Sequence, residues 1–215
     1  NGESKWITSP EARKDVQRVR AKSCAIISGA DSILTDNAKM TVRWSELGEL
    51  QQSYKQDDIR QPVRVVIDSQ NRLTPDLDFF KVNSPILIIS TLNEHPLENI
   101  VEWPHFVEQV QLPSLKNNTG ASKVDLTQLL MMLAKRGFND VLVESGANLA
   151  GAFIEQDLAD ELILYQAPKL MGGDGKNLVE MPNILALSKT KSLTMTDVRL
   201  VGRDIRITAT LTKNT

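Results

Sequence analysis

Val141-Leu142-Val143-Glu144-Ser145-Gly146-Ala147-Asn148-Leu149-Ala150-Gly151-Ala152 passes from an apolar run through a glycine turn into a series of small residues. The run reads as a strand and Ala147–Glu155 as the helix that follows. The first N–H groups of a helix lack partners within it, and the helix dipole makes that end attractive to a phosphate or pyrophosphate. Gly146 would let a ligand approach the backbone, while Ala150 and Gly151 would let the helix pack close to the sheet. Glu144 closes the strand, where ligands of open α/β sheets bind. Glycines occur only at 146 and 151, so this is not the Gly-x-Gly-x-x-Gly fingerprint. An ordinary strand–turn–helix junction fits the local pattern by itself.

Outward from that junction the pattern repeats. Pro10–Lys22 reads as a helix, with Ser9 as N-cap, Pro10 in the first turn and Glu11 at the positive end. Cys24–Ser28 reads as a buried strand ended by Gly29, and 31–37 as a short polar excursion. Glu46–Gln61 is charged and Gln-rich, an exposed insertion or a loose helix. Val63–Ile67, Pro85–Ser90 and Phe106–Leu112 supply further strands. Leu126, Leu129, Leu130 and Leu133 fall at helical spacing within 124–136, and Gly137 is placed to end that helix. Glu161–Ala167 is another strand, and 192–201 and 204–212 form a hairpin across Gly202-Arg203. Strands alternating with helices imply parallel strands with crossover helices, and the ending implies antiparallel strands added to the same sheet. One domain over residues 1–215 is the economical reading.

The chain has 215 residues and is 41% apolar, enough to bury a real core. Its net charge of −2 gives no support for a nucleic-acid or anionic-membrane surface. No apolar run is long enough to span a bilayer. Cys24 is the single cysteine, so no internal disulfide forms, which suits a reducing cytoplasm; it reads as a buried, inert thiol. His95 and His105 are scattered, and no metal site is expected. The chain opens on Asn1 rather than methionine and is expected to be a piece of a longer polypeptide.

Other segments could carry chemistry. Asp36 to Arg43 joins opposite charges on a loop, and a guanidinium can grip phosphate in two-pronged fashion; from spacing alone, incidental surface charge is the favoured reading. Ser4-Lys5-Trp6 with Arg20 offers either a platform and a second anchor or ordinary structural residues. Lys169–Gly175 is a glycine loop that would either fold over a ligand or stand as an exposed turn. Neither a nucleophile elbow nor a P-loop is found, and hydride transfer needs neither, because a cofactor carries that chemistry.

Read in order, several segments resemble one family. They are Lys5-Trp6-Ile7-Thr8-Ser9, the helix bearing Asp15-Val16-Gln17 and Arg20, Ile33-Leu34-Thr35-Asp36-Asn37, Thr41-Val42-Arg43, and Pro62 through Ser69. Glu144-Ser145-Gly146, Ala150-Gly151-Ala152, Asp160-Glu161-Leu162 and Ala167-Pro168-Lys169-Leu170 complete the series. The chain resembles the reductase half of the bifunctional riboflavin biosynthesis deaminase/reductase, over essentially its whole length. The resemblance implies an α/β, dihydrofolate-reductase-like fold: a mixed, mostly parallel central sheet flanked by helices, with antiparallel C-terminal strands. It implies NADPH-dependent reduction of 5-amino-6-(5-phosphoribosylamino)uracil in the cytoplasm, in a homodimer, beside an N-terminal zinc deaminase whose His-x-Glu and Pro-Cys-x-x-Cys signature is absent here. Ser4, Arg20, Met40, Arg43 and Glu144 would line the substrate site. Trp6, Ser32, Asp36, Ser69 and Gly146, Ala147, Asn148, Leu149, Ala150, Gly151 and Ala152 would line the cofactor site, with Ser69 and Arg72 offered to a 2′-phosphate. Arg20 and Arg43 would hold the substrate phosphate, and Asp36, Glu144 and Lys5 are the candidate catalytic groups. A dihydrofolate or pterin reductase of the same fold, and a non-catalytic cofactor-binding module, are the alternatives.

Overall fold

The computed structural model describes residues 7–91, 101–116, 122–170, 172 and 175–212. Their elements run α1 (Pro10–Lys22), β1 (Ala25–Gly29), α2 (Ala30–Asp36), β2 (Val63–Ile67), β3 (Ile86–Thr91), β4 (Val107–Leu112), β5 (Ser114–Lys116) and β6 (Ser122–Val124). After these come α3 (Leu126–Lys135), β7 (Val141–Val143), α4 (Ala147–Glu155), β8 (Glu161–Gln166), β9 (Leu193–Val201) and β10 (Asp204–Leu211).

Five strands form a parallel sheet in the order β4-β3-β2-β1-β7. Its inner strands β1, β2 and β3 are mostly apolar on both faces, as strands covered on both sides require, while the edge strand β4 carries the exposed Glu108, Gln109 and Gln111. Ala25, Ile27, Val65, Leu87 and Ile89 face α3 and α4 through Leu126, Leu129, Leu133 and Phe153. Ile26, Val66, Ile86 and Ile88 face α2 and the long connections, through Ile33, Met40, Leu73, Phe79 and Phe80. The chain leaves β1 in one direction to build β2, β3 and β4, then returns to place β7 on the other side of β1. The strand order therefore reverses between β1 and β7, the place where open α/β sheets bind ligands.

Several expectations need correction. Residues 31–37 are not an excursion: α2 begins at Ala30, and Ala30 and Ile33, one turn apart, are buried against the sheet. Asn37 ends the helix in the left-handed region. Of the two readings of 46–61, the mostly exposed insertion holds and the loose helix does not: after the 3₁₀ turn Trp44–Glu46, it has only the 3₁₀ turns Gly48–Gln52 and Gln56–Asp58. The crossover from β2 to β3 likewise has only the 3₁₀ turn Asp78–Phe80. The last strands do not extend the parallel sheet but form their own, in the order β8-β10-β9. β7 has only three residues, and between it and β8 lies an opening of about 1230 Å³ lined by α1, α4 and both strands. Cys24 is half-buried rather than enclosed, and backbone hydrogen bonds from Asp140 and Asn139 pull its thiol pKa down.

The second sheet is fastened to α1. Asp204, fully buried, accepts a hydrogen bond from the Ser9 backbone at 2.6 Å. Gly202 has φ 62°, and a side chain there would meet Glu11 at 2.7 Å, so the hairpin turn seats on the start of α1. Tyr165 of β8 donates to Asp15 of α1 at 2.6 Å, and Arg206 of β10 reaches the same carboxylate oxygen at 3.0 Å. Burial first, then that bond, raises the Tyr165 pKa above the ordinary tyrosine value. A raised acid pKa means the folded chain holds the proton more tightly, so this stabilisation is present below about pH 10 and lost as pH rises past it. Tyr165→Phe is expected to cost about 1–2 kcal/mol at neutral pH, with a smaller difference from wild type by pH 11. Urea midpoints at the two pH values check this.

Candidate active site

β1 and β7 end side by side at the reversal of strand order, and each feeds directly into a helix. Glu144, the residue after β7, donates its backbone N–H to Ile27 of β1 at 2.9 Å. Its side chain turns toward α1. There Arg20 meets it with two parallel bonds, Nε to Oε2 at 2.8 Å and Nη2 to Oε1 at 2.6 Å. The same guanidinium donates from Nη1 to the Thr41 carbonyl at 2.8 Å, and Nη2 lies 4.0 Å from the Met40 sulfur. Arg20 is 9% exposed and Glu144 35% exposed, so the pair has one face in the protein and one open.

Three of the residues expected at a substrate site, Arg20, Met40 and Glu144, are thus brought into one group. Arg20 does not present a free fork: Glu144 and Thr41 take its donors. Arg43 follows three residues after Met40, and its side chain is half-exposed. It grips Glu46 with two bonds, at 2.7 and 2.9 Å. The hydrogen bond from Arg43 pulls the Glu46 pKa down, and the charges of Arg43, Arg13 and Arg20 act in the same direction. Of these, Arg43 contacts the Glu46 carboxylate directly. Reasoning from sequence missed Glu46. Its spacing of three from Arg43 in a tight turn was the available signal.

On the other side of the strand ends, Gly146 is the N-cap of α4 and no side chain caps it. A Cβ built on Gly146 would stand 3.9 Å from the Ser32 hydroxyl of α2, so the two helix starts face each other across the sheet edge. Asn148 is exposed, Ala147 and Leu149 are partly so, and Ala152 turns toward the core cluster. Gly151 does not serve the packing of helix on sheet. A Cβ there would lie 2.0 Å from the Glu180 carbonyl oxygen, and the Glu180 N–H donates to Ala147 at 3.0 Å. The segment around Glu180 runs against α4 in the space that Gly151 leaves. Asp36 sits exposed at the end of α2 and Ser69 is half-buried after β2. Arg72 pairs with Asp31 of α2 at 2.7 Å, both groups well exposed. Ser4, Lys5 and Trp6 lie outside the described residues, as does His95.

Against known proteins, a family model described as the RibD C-terminal domain matches residues 1–207. The riboflavin biosynthesis protein RibD of Haemophilus influenzae is 40% identical over 211 residues, 98% of this chain and 54% of that protein. The chain thus spans about half the length of that relative. A 5-amino-6-(5-phosphoribosylamino)uracil reductase of Buchnera aphidicola from Acyrthosiphon pisum is 36% identical over 208 residues, 96% of each chain. Among solved structures, Acinetobacter baumannii RibD superposes with a TM-score of 0.79 at 28% identity, covering 99% of this chain and 53% of that one. The arrangement of elements is that of the RibD reductase domains, dihydrofolate-reductase-like, with a parallel central sheet and antiparallel C-terminal strands.

Proposed function

The chain belongs to the RibD C-terminal domain family, and from that premise we propose that it reduces 5-amino-6-(5-phosphoribosylamino)uracil to its ribitylamino counterpart with NADPH. One observation carries the reading. At the point where strand order reverses, an arginine-held carboxylate, Glu144, stands beside an uncapped helix start, Gly146. The first suits a substrate that donates hydrogen bonds and the second a dinucleotide's phosphates.

The residues fit a dinucleotide at this place. The N–H groups of Ala147 to Leu149 would receive its pyrophosphate, Gly146 and Ser32 would flank it, and Asp36 would close the far side. Ser69 and Arg72 would meet a 2′-phosphate, for which Arg72 would exchange its exposed bond to Asp31. The nicotinamide ring, when bound, supplies hydride to C1′ of the opened ribose. The protein's own work is placement. Arg20 orients Glu144, whose open face accepts hydrogen bonds from the substrate. Arg43 takes the substrate phosphate, displacing Glu46 from its fork. An exposed arginine–glutamate pair is worth about 0–1 kcal/mol, so a doubly charged phosphate can displace it. Asp36, Glu144 and Lys5 are the groups to test for proton handling, by the pH–rate profiles of single variants.

Arg43→Ala is expected to raise the KM for the ribosylaminouracil about tenfold or more while leaving NADPH affinity nearly unchanged, because a charge-assisted phosphate contact is worth roughly 1.5–3 kcal/mol. Glu46→Gln removes the internal competitor and should lower that KM, by no more than about fivefold. Steady-state kinetics at fixed NADPH measures both. An Arg43→Ala variant that weakens cofactor and substrate alike would contradict the assignment. Turnover of dihydrofolate in preference to the ribosylaminouracil would favour a related reductase.

We also place the chain in a homodimer, in the cytoplasm, and beside a deaminase domain in the longer protein. β9 supports the first of these. The bulge opposite Thr208 keeps Leu193, Met195, Val198 and Leu200 on one face, and these are 40–73% exposed. An apolar edge strand of that kind suits a second copy.

A further inference from the structure

Residues 39–43 carry Met40 and Arg43, yet they belong to no helix or strand. Met40 has φ 53°, a left-handed conformation uncommon for a side chain of its size. A stretch without a ladder must satisfy its backbone groups by other means. Here side chains replace the ladder. Gln61, just before β2, accepts from the Val42 N–H at 2.8 Å and donates to the Val42 carbonyl at 2.9 Å. Both bonds fall on one residue, the pattern by which an antiparallel strand holds its partner. Gln17 of α1, buried, accepts from the Arg43 N–H at 2.9 Å. At the other end Arg64 of β2 donates to the Lys39 carbonyl at 3.2 Å.

We infer that Gln61 is a positioning residue for the phosphorylated substrate: its amide stands in for a strand partner and fixes where Met40 and Arg43 meet that substrate. The inference rests on the substrate reading above. Among the described residues Gln61 bonds only to backbone, so it acts through the segment it holds. A displacement of about an ångström at Arg43 spoils a two-pronged phosphate contact, which is sensitive to angle as well as distance. The cofactor side, built on Ser32 and Gly146, lies on other elements and is not held by this contact.

Gln61→Ala and Gln61→Glu in the 215-residue chain test it. Hydrogen exchange of the Val42 amide should quicken at least tenfold in Gln61→Ala, while β1 and β2 amides keep their rates. Equal Val42 exchange in variant and wild type overturns the proposal whatever the kinetics show. In turnover, the KM for the ribosylaminouracil should rise about tenfold in Gln61→Ala, with kcat and the KM for NADPH within twofold; equal loss on both ligands overturns it. Gln61→Glu keeps the acceptor for Val42 N–H but turns a carboxylate oxygen on the Val42 carbonyl. Protonation restores the donor, so its KM relative to wild type should fall between about pH 8 and about pH 5. A flat ratio overturns the two-point contact. Failure of the wild type to reduce the ribosylaminouracil would sink the substrate reading, and would be seen separately from the exchange result.

Discussion

Glu144→Ala should lower kcat/KM for the ribosylaminouracil by a factor of about 10²–10³ while NADPH affinity changes by less than about threefold. The asymmetry follows from what Glu144 touches. Its carboxylate takes two donors of Arg20, which is 9% exposed, and Arg20 in turn holds the Thr41 carbonyl. Truncation leaves a nearly buried guanidinium without its acid, which ordinarily costs about 3–5 kcal/mol. Glu144 itself is one-third open, so water can reach part of the gap, and about 2–3 kcal/mol of stability is the fitting expectation. The helix start at Gly146 keeps its own N–H groups, so the cofactor side is spared. Glu144→Gln retains one acceptor and should fall between wild type and alanine. Cofactor titration, steady-state kinetics and a thermal melt on the same preparations separate the effects. A variant that loses NADPH and substrate together would mean that Glu144 only props up the fold.

The parallel core was legible in the sequence because each buried strand is a short apolar run bounded by turn residues, as in Val63–Ile67. The α1 boundaries were legible for a chemical reason: Ser9 caps the helix by accepting from the Ala12 N–H at 3.2 Å. α2 was hidden, since its seven residues show one buried face of two side chains, too little for a period to stand out. That the C-terminal strands form their own sheet rather than join the main one is a matter of which strands pair, which local propensity does not encode. Within the site, Glu144, Gly146 and Arg20 could be proposed one at a time. Their pairing could not, because Arg20 and Glu144 are 124 residues apart and nothing local to either announces the other. Gln17 and Gln61 were silent for a related reason. A glutamine that bonds to backbone reads in sequence like any surface glutamine, and only the irregular course of 39–43 gives it a role.

Arg64→Met is expected to destabilise the chain by about 3 kcal/mol or more, although it replaces a buried charge with an apolar side chain of similar length. Arg64 is fully buried in β2. Burial pulls its pKa down to about 10, a burden of about 3 kcal/mol on the charged form. Against that burden stand the backbone carbonyls of Lys39, Phe79, Val82 and Ser84, all of which accept from its two terminal nitrogens. The Phe79 ring adds a face 4.9 Å from the guanidinium carbon. Each bond to a charged donor contributes roughly 1.5–3 kcal/mol, so four of them outweigh the burial. Methionine removes the burden but leaves those carbonyls facing an apolar side chain. The β2–β3 connection and the Lys39 end of residues 39–43 would loosen together. Lysine, a point charge without the planar fork, should recover part of the loss. Equilibrium unfolding of the three proteins decides the matter. A methionine variant as stable as wild type would mean that water or backbone rearrangement satisfies those carbonyls, and that Arg64 does not hold the connection.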